Sequence, residues 1–334
     1  MDIKLISKYR AQIMGFAIIM VSIFHSSVVH TNDAIDMLCF SGDMGVDIFF
    51  LVSGLGMYYT FLKQPSLGEF YKKRLLRIVP TWWFMIIITE LIDNKLMDTD
   101  WLWLFKKMTG LSFWMDRSLY YWYIPVLLFF YFVTPFFIKK YKEDKLKTVI
   151  LFGSIIFLCL MCSLVFRNAN YFMVIFRIPS FFLGIWIGDL AYHEKTFSKK
   201  SFMLSCIVFI IGMSVVFVIK HLYPVVSYIR YDYKYIVYIG TAVSLCMILV
   251  KLFACTNYKF PILKFIGGIT LEIYLLHEMI LKKVTDAIGY VPFDSLGIIF
   301  NLLVWIGVVL IAKAFHEAIA YLEKIIINNR KKEA

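Results

Sequence analysis

Residues 11–29 read AQIMGFAIIMVSIFHSSVV, nineteen residues in which His25 is the sole ionisable side chain. At 1.5 Å per helical residue the run extends about 28 Å, close to the roughly 30 Å hydrocarbon core of a bilayer. The run is longer than the 7–15-residue core of a signal peptide, and no small-x-small cleavage pattern follows it. With Lys4, Lys8 and Arg10 in front of it, it reads as a retained first transmembrane helix.

The same pattern recurs along the chain. Apolar runs near 11–29, 44–62, 78–94, 119–138, 148–166, 171–191, 202–219, 235–254, 265–285 and 296–318 predict ten helices. Of 334 residues, 61% are hydrophobic and 17% charged, against about 45–50% and 25% in soluble domains, which excludes an ordinary soluble fold. The 18% aromatic content suits helix ends at headgroup level. The expected fold is all-α and polytopic, with about ten transmembrane helices.

A formal net charge of +12 need not mean nucleic acid, because membrane proteins carry excess Lys and Arg in cytoplasmic loops. Placing the N-terminus inside assigns 24 of the 35 basic residues to the cytoplasm, at 1–10, 63–77, 139–147, 195–200, 251–264 and 313–332. The facing segment 30–43 has no Lys or Arg but carries Asp33, Asp36 and Asp43. N- and C-termini are therefore expected in the cytoplasm, and the localisation is a multi-pass cell (inner or plasma) membrane protein. No repeat or linker divides residues 1–334, so one domain is expected, with a solvated tail at Asn328–Ala334 and no appended soluble domain. The six cysteines lie in or beside apolar runs. Cys159 and Cys162 form a lone CxxC, more simply packing than metal or redox chemistry, and no metal site is expected.

Ionisable side chains inside membrane helices are costly and point to function. His25 serves either as a proton acceptor in a dry site or as a hydrogen-bonded packing residue. Asp47, in GDMGVDIFFLVSG (42–54), either has a buried partner or caps its helix. In FYKKRLLRIVP (70–80), Arg74 and Arg77 share a helix face just before Pro80, which is expected at the start of helix three. Such a pair suits phosphate, although lipid headgroups and topology explain it equally well. Within 268–281, GITLEIYLLHEMIL, His277 is the better interior candidate beside Glu272 and Glu278. Trp122 and Tyr131 in YYWYIPVLLFFYFVTP (120–135) suit bundle packing.

Taken in order, MGFAIIMVSIFHS (14–26), GVDIFFLVSG (45–54) with Ser53, FYKKRLLRIVP (70–80), YWYIPVLLFFYFVTP (121–135) with Trp122 and Tyr131, and ITLEIYLLH (269–277) resemble the acyltransferase-3 family of integral membrane O-acyltransferases. Two positions depart from its pattern. The family arginine eleven residues before the first-helix histidine is replaced by Met14, and Arg10, one turn earlier, takes over its expected role. Leu127 and Leu128 stand where many members have a glutamate, which excludes a glutamate role there.

The resemblance implies transfer of an acyl group, most often acetyl from cytosolic acetyl-CoA or another acyl-CoA, to a hydroxyl of an envelope polysaccharide or glycolipid. Arg74, Arg77 and Arg10 would hold the donor's phosphates, and His25 would act as base or acyl carrier with Asp47 orienting it. The implied partners are the lipid bilayer, acyl-CoA and the glycan acceptor, with no nucleic acid; nothing in the sequence sets an oligomeric state. A secondary transporter or lipid-linked glycan exporter would also carry intramembrane His, Asp and Arg, but shows inverted halves with paired broken helices. An inactive sensor or structural bundle is the third reading. CoA binding separates the enzyme from both.

The topology is testable by cysteine labelling. Single cysteines placed in 139–147 and after 320 should react only with membrane-permeant reagents, and labelling of either from outside would overturn the ten-helix arrangement.

Overall fold

The computed structural model describes the chain apart from residues 1, 27, 30–32, 64–65, 94–99, 117, 120, 167–172, 227–230, 257–258, 290, 293–294 and 334, and apart from the side chains of 28–29, 160, 163–166, 291–295, 322–323 and 325–333. Every expected apolar run contains a helix. In chain order these are α1 (Lys4–Lys8), α2 (Arg10–Phe24), α3 (Asp33–Phe40), α4 (Met44–Lys63), α5 (Leu67–Ile92), α6 (Trp101–Thr109), α7 (Leu111–Asp116), α8 (Tyr123–Glu143) and α9 (Lys145–Phe166). They continue with α10 (Ile178–Tyr192), α11 (Lys199–Leu222), α12 (Lys234–Cys255), α13 (Pro261–Gly268), α14 (Thr270–Ile288) and α15 (Ser295–Glu333). A two-residue parallel pairing of β1 (Val28–Val29) with β2 (Val291–Pro292) joins two connecting segments.

Among the described residues six helices are long and apolar enough to cross a membrane, beginning with Leu67–Ile92 and Tyr123–Glu143 and ending with Leu296–Tyr321. The first expected span is shorter, fifteen residues. The ninth is not one helix. It breaks at Ile269 (φ −119°, ψ 26°) into α13 and α14, because α13 is held tightly against α2: a Cβ on Gly267 would overlap the Ala11 carbonyl, and one on Gly15 the Leu263 carbonyl. Helix three also differs from expectation. Ser66 caps α5 by accepting from the Glu69 amide, so the helix starts about three turns before the apolar run, and Pro80 lies inside it rather than at its start. The basic tail likewise continues the backbone of α15 to Glu333 instead of ending the helix near 318. In these cases the apolar run marks the lipid-exposed length, while capping and packing set the helix length.

α4 is the central element. Every residue from Met44 to Tyr58 is buried, as expected of a helix apolar on all sides. It packs on α10 through glycines that replace each other's side-chain space: Gly54 faces the Phe181 carbonyl and Gly184 faces the Leu51 carbonyl. Small residues give membrane helices this close approach. By contrast α11 and α15 are mostly exposed apolar surface, the property expected of a lipid-facing shell.

Gly184→Ala would drive a methyl group into the Leu51 carbonyl, and overpacking of this kind costs about 1–3 kcal/mol. The variant should unfold at clearly lower temperature in detergent, whereas Gly153→Ala, with open space at its Cβ, should hold the wild-type midpoint. Equal midpoints would show that α4 and α10 separate freely.

Candidate functional site

α2 carries Arg10 at one end and His25 just beyond the other, fifteen residues apart and so about 22 Å along the axis. Around Arg10 the helices α2, α4, α5, α8 and α14 enclose a narrow cleft of ≈ 70 Å³, whose walls include Arg10, Arg77, Ser53, Tyr131, Thr270 and Tyr274. Arg74 joins this end of the bundle: it hydrogen-bonds Thr60 Oγ1, and its guanidinium lies 5.8 Å from the centre of the Tyr131 ring. The absence of a side chain at Gly56 makes room for Arg10, since a Cβ there would sit 2.9 Å from Nη1. Among the described residues no carboxylate pairs with any of the three arginines, and Arg74 Nε is buried without a hydrogen-bond partner. Guanidiniums without a carboxylate partner have the chemistry to receive an anion.

Tyr123 and Tyr274 line the same cleft, with ring centroids 5.2 Å apart. One turn beyond Tyr274 on α14 comes His277, fully buried and with its ring 5.0 Å from that of His25. Helix carbonyls decide which nitrogen of each neutral ring carries the hydrogen. His277 Nδ1 lies 3.1 and 2.8 Å from the Ile273 and Tyr274 oxygens, and His25 Nδ1 lies 2.9 Å from the Val21 oxygen. Carbonyls only accept, so in the neutral rings both Nδ1 atoms carry hydrogen. His277 Nε2 is then a lone pair facing His25 Nδ1 at 3.4 Å, and His25 Nε2 is a second lone pair with no partner among the described residues. That is the tautomer a general base needs.

Asp47 does not meet His25. Its Oδ1 accepts from Ser180 Oγ at 3.0 Å, and its Oδ2 lies 3.3 Å from Arg177 Nε. The expected orienting carboxylate is committed elsewhere, because a buried acid is held by the nearest strong cation. His277 occupies the place on His25 that Asp47 was expected to fill. Trp122 also lies away from the cleft lining, with the Arg177 guanidinium 5.3 Å from its ring.

A family model described as an acyltransferase domain matches residues 13–315, nearly the whole chain. The chain belongs to the acyltransferase-3 family. Searches of curated proteins and of solved structures returned no match. Family and apolar helices together make the protein a membrane acyltransferase. In this acyltransferase Met14 and, of the pair Leu127 and Leu128, Leu127 line the narrow cleft at the two departures from the family pattern, and Arg10 reaches the same space from one turn earlier.

Sequence reasoning missed the ion network beside the histidine end of the acyltransferase. Arg177 joins Asp47 to Asp43 (Nη2 to the Asp43 carbonyl, 3.2 Å), and Asp43 also takes Lys234 at 2.8 Å and the Tyr238 hydroxyl at 3.0 Å. Lys234 sits 3.8 Å from the Tyr231 ring centre and 4.2 Å from that of Phe40. At the arginine end, Asp189 gathers Tyr58 (2.6 Å), Tyr141 (3.0 Å) and Lys145 (2.6 Å). The signal was present: Arg177 and Asp189 lie inside the expected 171–191 span, where any ionisable residue calls for a partner.

Removing one member of a buried pair costs about 3–5 kcal/mol. Arg177→Met alone should therefore lower the detergent unfolding temperature sharply, and Asp47→Asn added to it should recover part of the loss. A double variant as unstable as the sum of the singles would mean that Asp47 and Arg177 do not share charge.

Proposed function

We propose that the protein is an O-acetyltransferase that moves an acyl group from cytosolic acyl-CoA, most simply acetyl-CoA, to a hydroxyl of an envelope polysaccharide or glycolipid. The observation that supports this best is the single helix α2 with uncompensated arginines at one end and an unpartnered histidine lone pair at the other. The arginine end faces the cytoplasm if all ten apolar helices cross the inner or plasma membrane with both termini inside. Donor phosphates then rest on Arg10, Arg74 and Arg77, and the thin arm that carries the thioester points along α2 toward His25.

In the reaction His25 Nε2 takes the proton of the acceptor hydroxyl as its oxygen forms a bond to the thioester carbonyl carbon. The carbon–sulfur bond breaks, the electron pair leaves with sulfur, and the proton passes from His25 to the CoA thiolate. His25 Nδ1–H is held by the Val21 carbonyl at 2.9 Å with the His277 Nε2 lone pair 3.4 Å away, and the two acceptors keep the ring in orientation while it is charged, the task usually given to a carboxylate. A transporter reading draws on one feature, the break between α13 and α14, since broken helices line transport sites. Envelope glycans from cells with and without the protein distinguish the two: a mass difference of one acyl group per sugar supports the enzyme.

His25→Ala should reduce transfer by about 10²–10⁴-fold, the usual contribution of a base, with acetyl-CoA binding retained. His221, exposed on α11 and bonded to the Phe217 carbonyl, is the control and should tolerate Ala. Assays of purified protein with acetyl-CoA and a glycan acceptor check both variants. Turnover near the wild-type rate in His25→Ala would remove the residue from the chemistry.

A further inference from the structure

A second, wider cleft opens beside the narrow one and shares Arg10 with it. It measures ≈ 500 Å³ against ≈ 70 Å³, and its walls include Lys4, Ser7, Lys8, Tyr59 and Lys63. Two of its walls are α1 and the end of α4. Short as it is, α1 is firmly placed: Ile3 and Ile6 are buried, the Ile3 amide donates to the Lys195 carbonyl at 3.4 Å, and Lys4 pairs with Glu194. Lys4 therefore spends its charge on Glu194. Among the described residues Lys8 and Lys63 have no carboxylate partner, and neither does Arg10. The cleft thus presents an aromatic ring, hydroxyls and three free cations, narrowing at Arg10 into a passage whose inner walls include Met14, Phe49 and Leu127.

Width, charge and order along the path match one kind of molecule: a bulky nucleotide with phosphates, followed by a thin uncharged arm. We propose that the wide cleft takes the 3′-phosphoadenosine head of the acyl-CoA, with Lys8 and Lys63 on the ribose 3′-phosphate, Tyr59 offering its face to the base and Arg10 at the neck on the pyrophosphate. The inference rests on the acyl-CoA reading above and adds a discrimination to it: the protein separates CoA from its 3′-dephospho form. Charge-assisted contacts from two ammonium groups are the physical basis, and a cleft of this size lies within the usual range for a nucleotide-sized ligand. An anionic lipid headgroup offers the same phosphate chemistry, so the membrane composition belongs in the test.

The full chain in nanodiscs of phosphatidylcholine is titrated with acetyl-CoA and with acetyl-3′-dephospho-CoA, and each Kd is measured. Wild type should bind acetyl-CoA at least tenfold more tightly. Lys8→Gln with Lys63→Gln should weaken acetyl-CoA to the level of the dephospho compound and leave the latter unchanged; both side chains are exposed, so the unfolding temperature should stay at the wild-type value. Equal affinity of wild type for the two donors, or an equal weakening of both in the double variant, overturns the subsite while leaving the acyl-CoA reading standing. No binding of either donor overturns that reading and the subsite with it. An effect of the double variant that appears only when phosphatidylglycerol is added assigns the lysines to lipid and overturns the subsite as well.

Discussion

A charge taken out of water must meet an opposite charge, or its desolvation is left uncompensated. This constraint organises the bundle. Asp43 and Asp47 at the start of α4, Arg177 before α10 and Lys234 opening α12 are two acids and two bases that neutralise one another, and they tie three helices at one level. Asp189 and Lys145 do the same at the opposite end. Arg10, Arg74 and Arg77 stand outside these networks without a carboxylate partner among the described residues, and Arg10 and Arg77 line clefts. The fold is neutralised where it must hold and left cationic at the arginine end.

The second organising feature is the pairing of a continuous helix with a broken one. α2 sets a distance of about 22 Å between arginine and histidine. α13 packs so closely on its first half that only glycine fits at 15 and 267, which turns the chain and starts α14 beside Met14. From there Thr270, Tyr274 and His277 climb in step with α2, so one helix supplies two residues of the cleft wall and the neighbour of His25. The break therefore serves the site: an unbroken helix across 261–288 could not lie against the first half of α2 and also reach His25 from beside it.

The apolar runs were readable because lipid demands them; each contains a helix, and His25, Arg74, Arg77 and His277 were legible as ionisable groups in apolar or membrane-edge segments. Partners were not. Asp47 was expected beside His25 only through the family resemblance, yet Ser180 and Arg177, its actual partners, are 133 and 130 residues distant in the chain and come close only when α10 docks on the α4 glycines. The role carried to Arg10 in place of Met14 was suggested by helical spacing, but whether its side chain reached inward depended on Gly56, which lies on another helix.

By itself the sequence determined what is local: that the chain is helical and membrane-bound, where its apolar lengths lie, and which ionisable groups are out of place, since hydropathy and helical period depend on neighbours a few residues away. Tertiary structure decided which charges cancel, which histidine faces which, where the ninth helix breaks, and that two clefts of different width meet at Arg10. Those outcomes depend on backbone approach at glycines and on electrostatic pairing between helices, and both are properties of the packed chain.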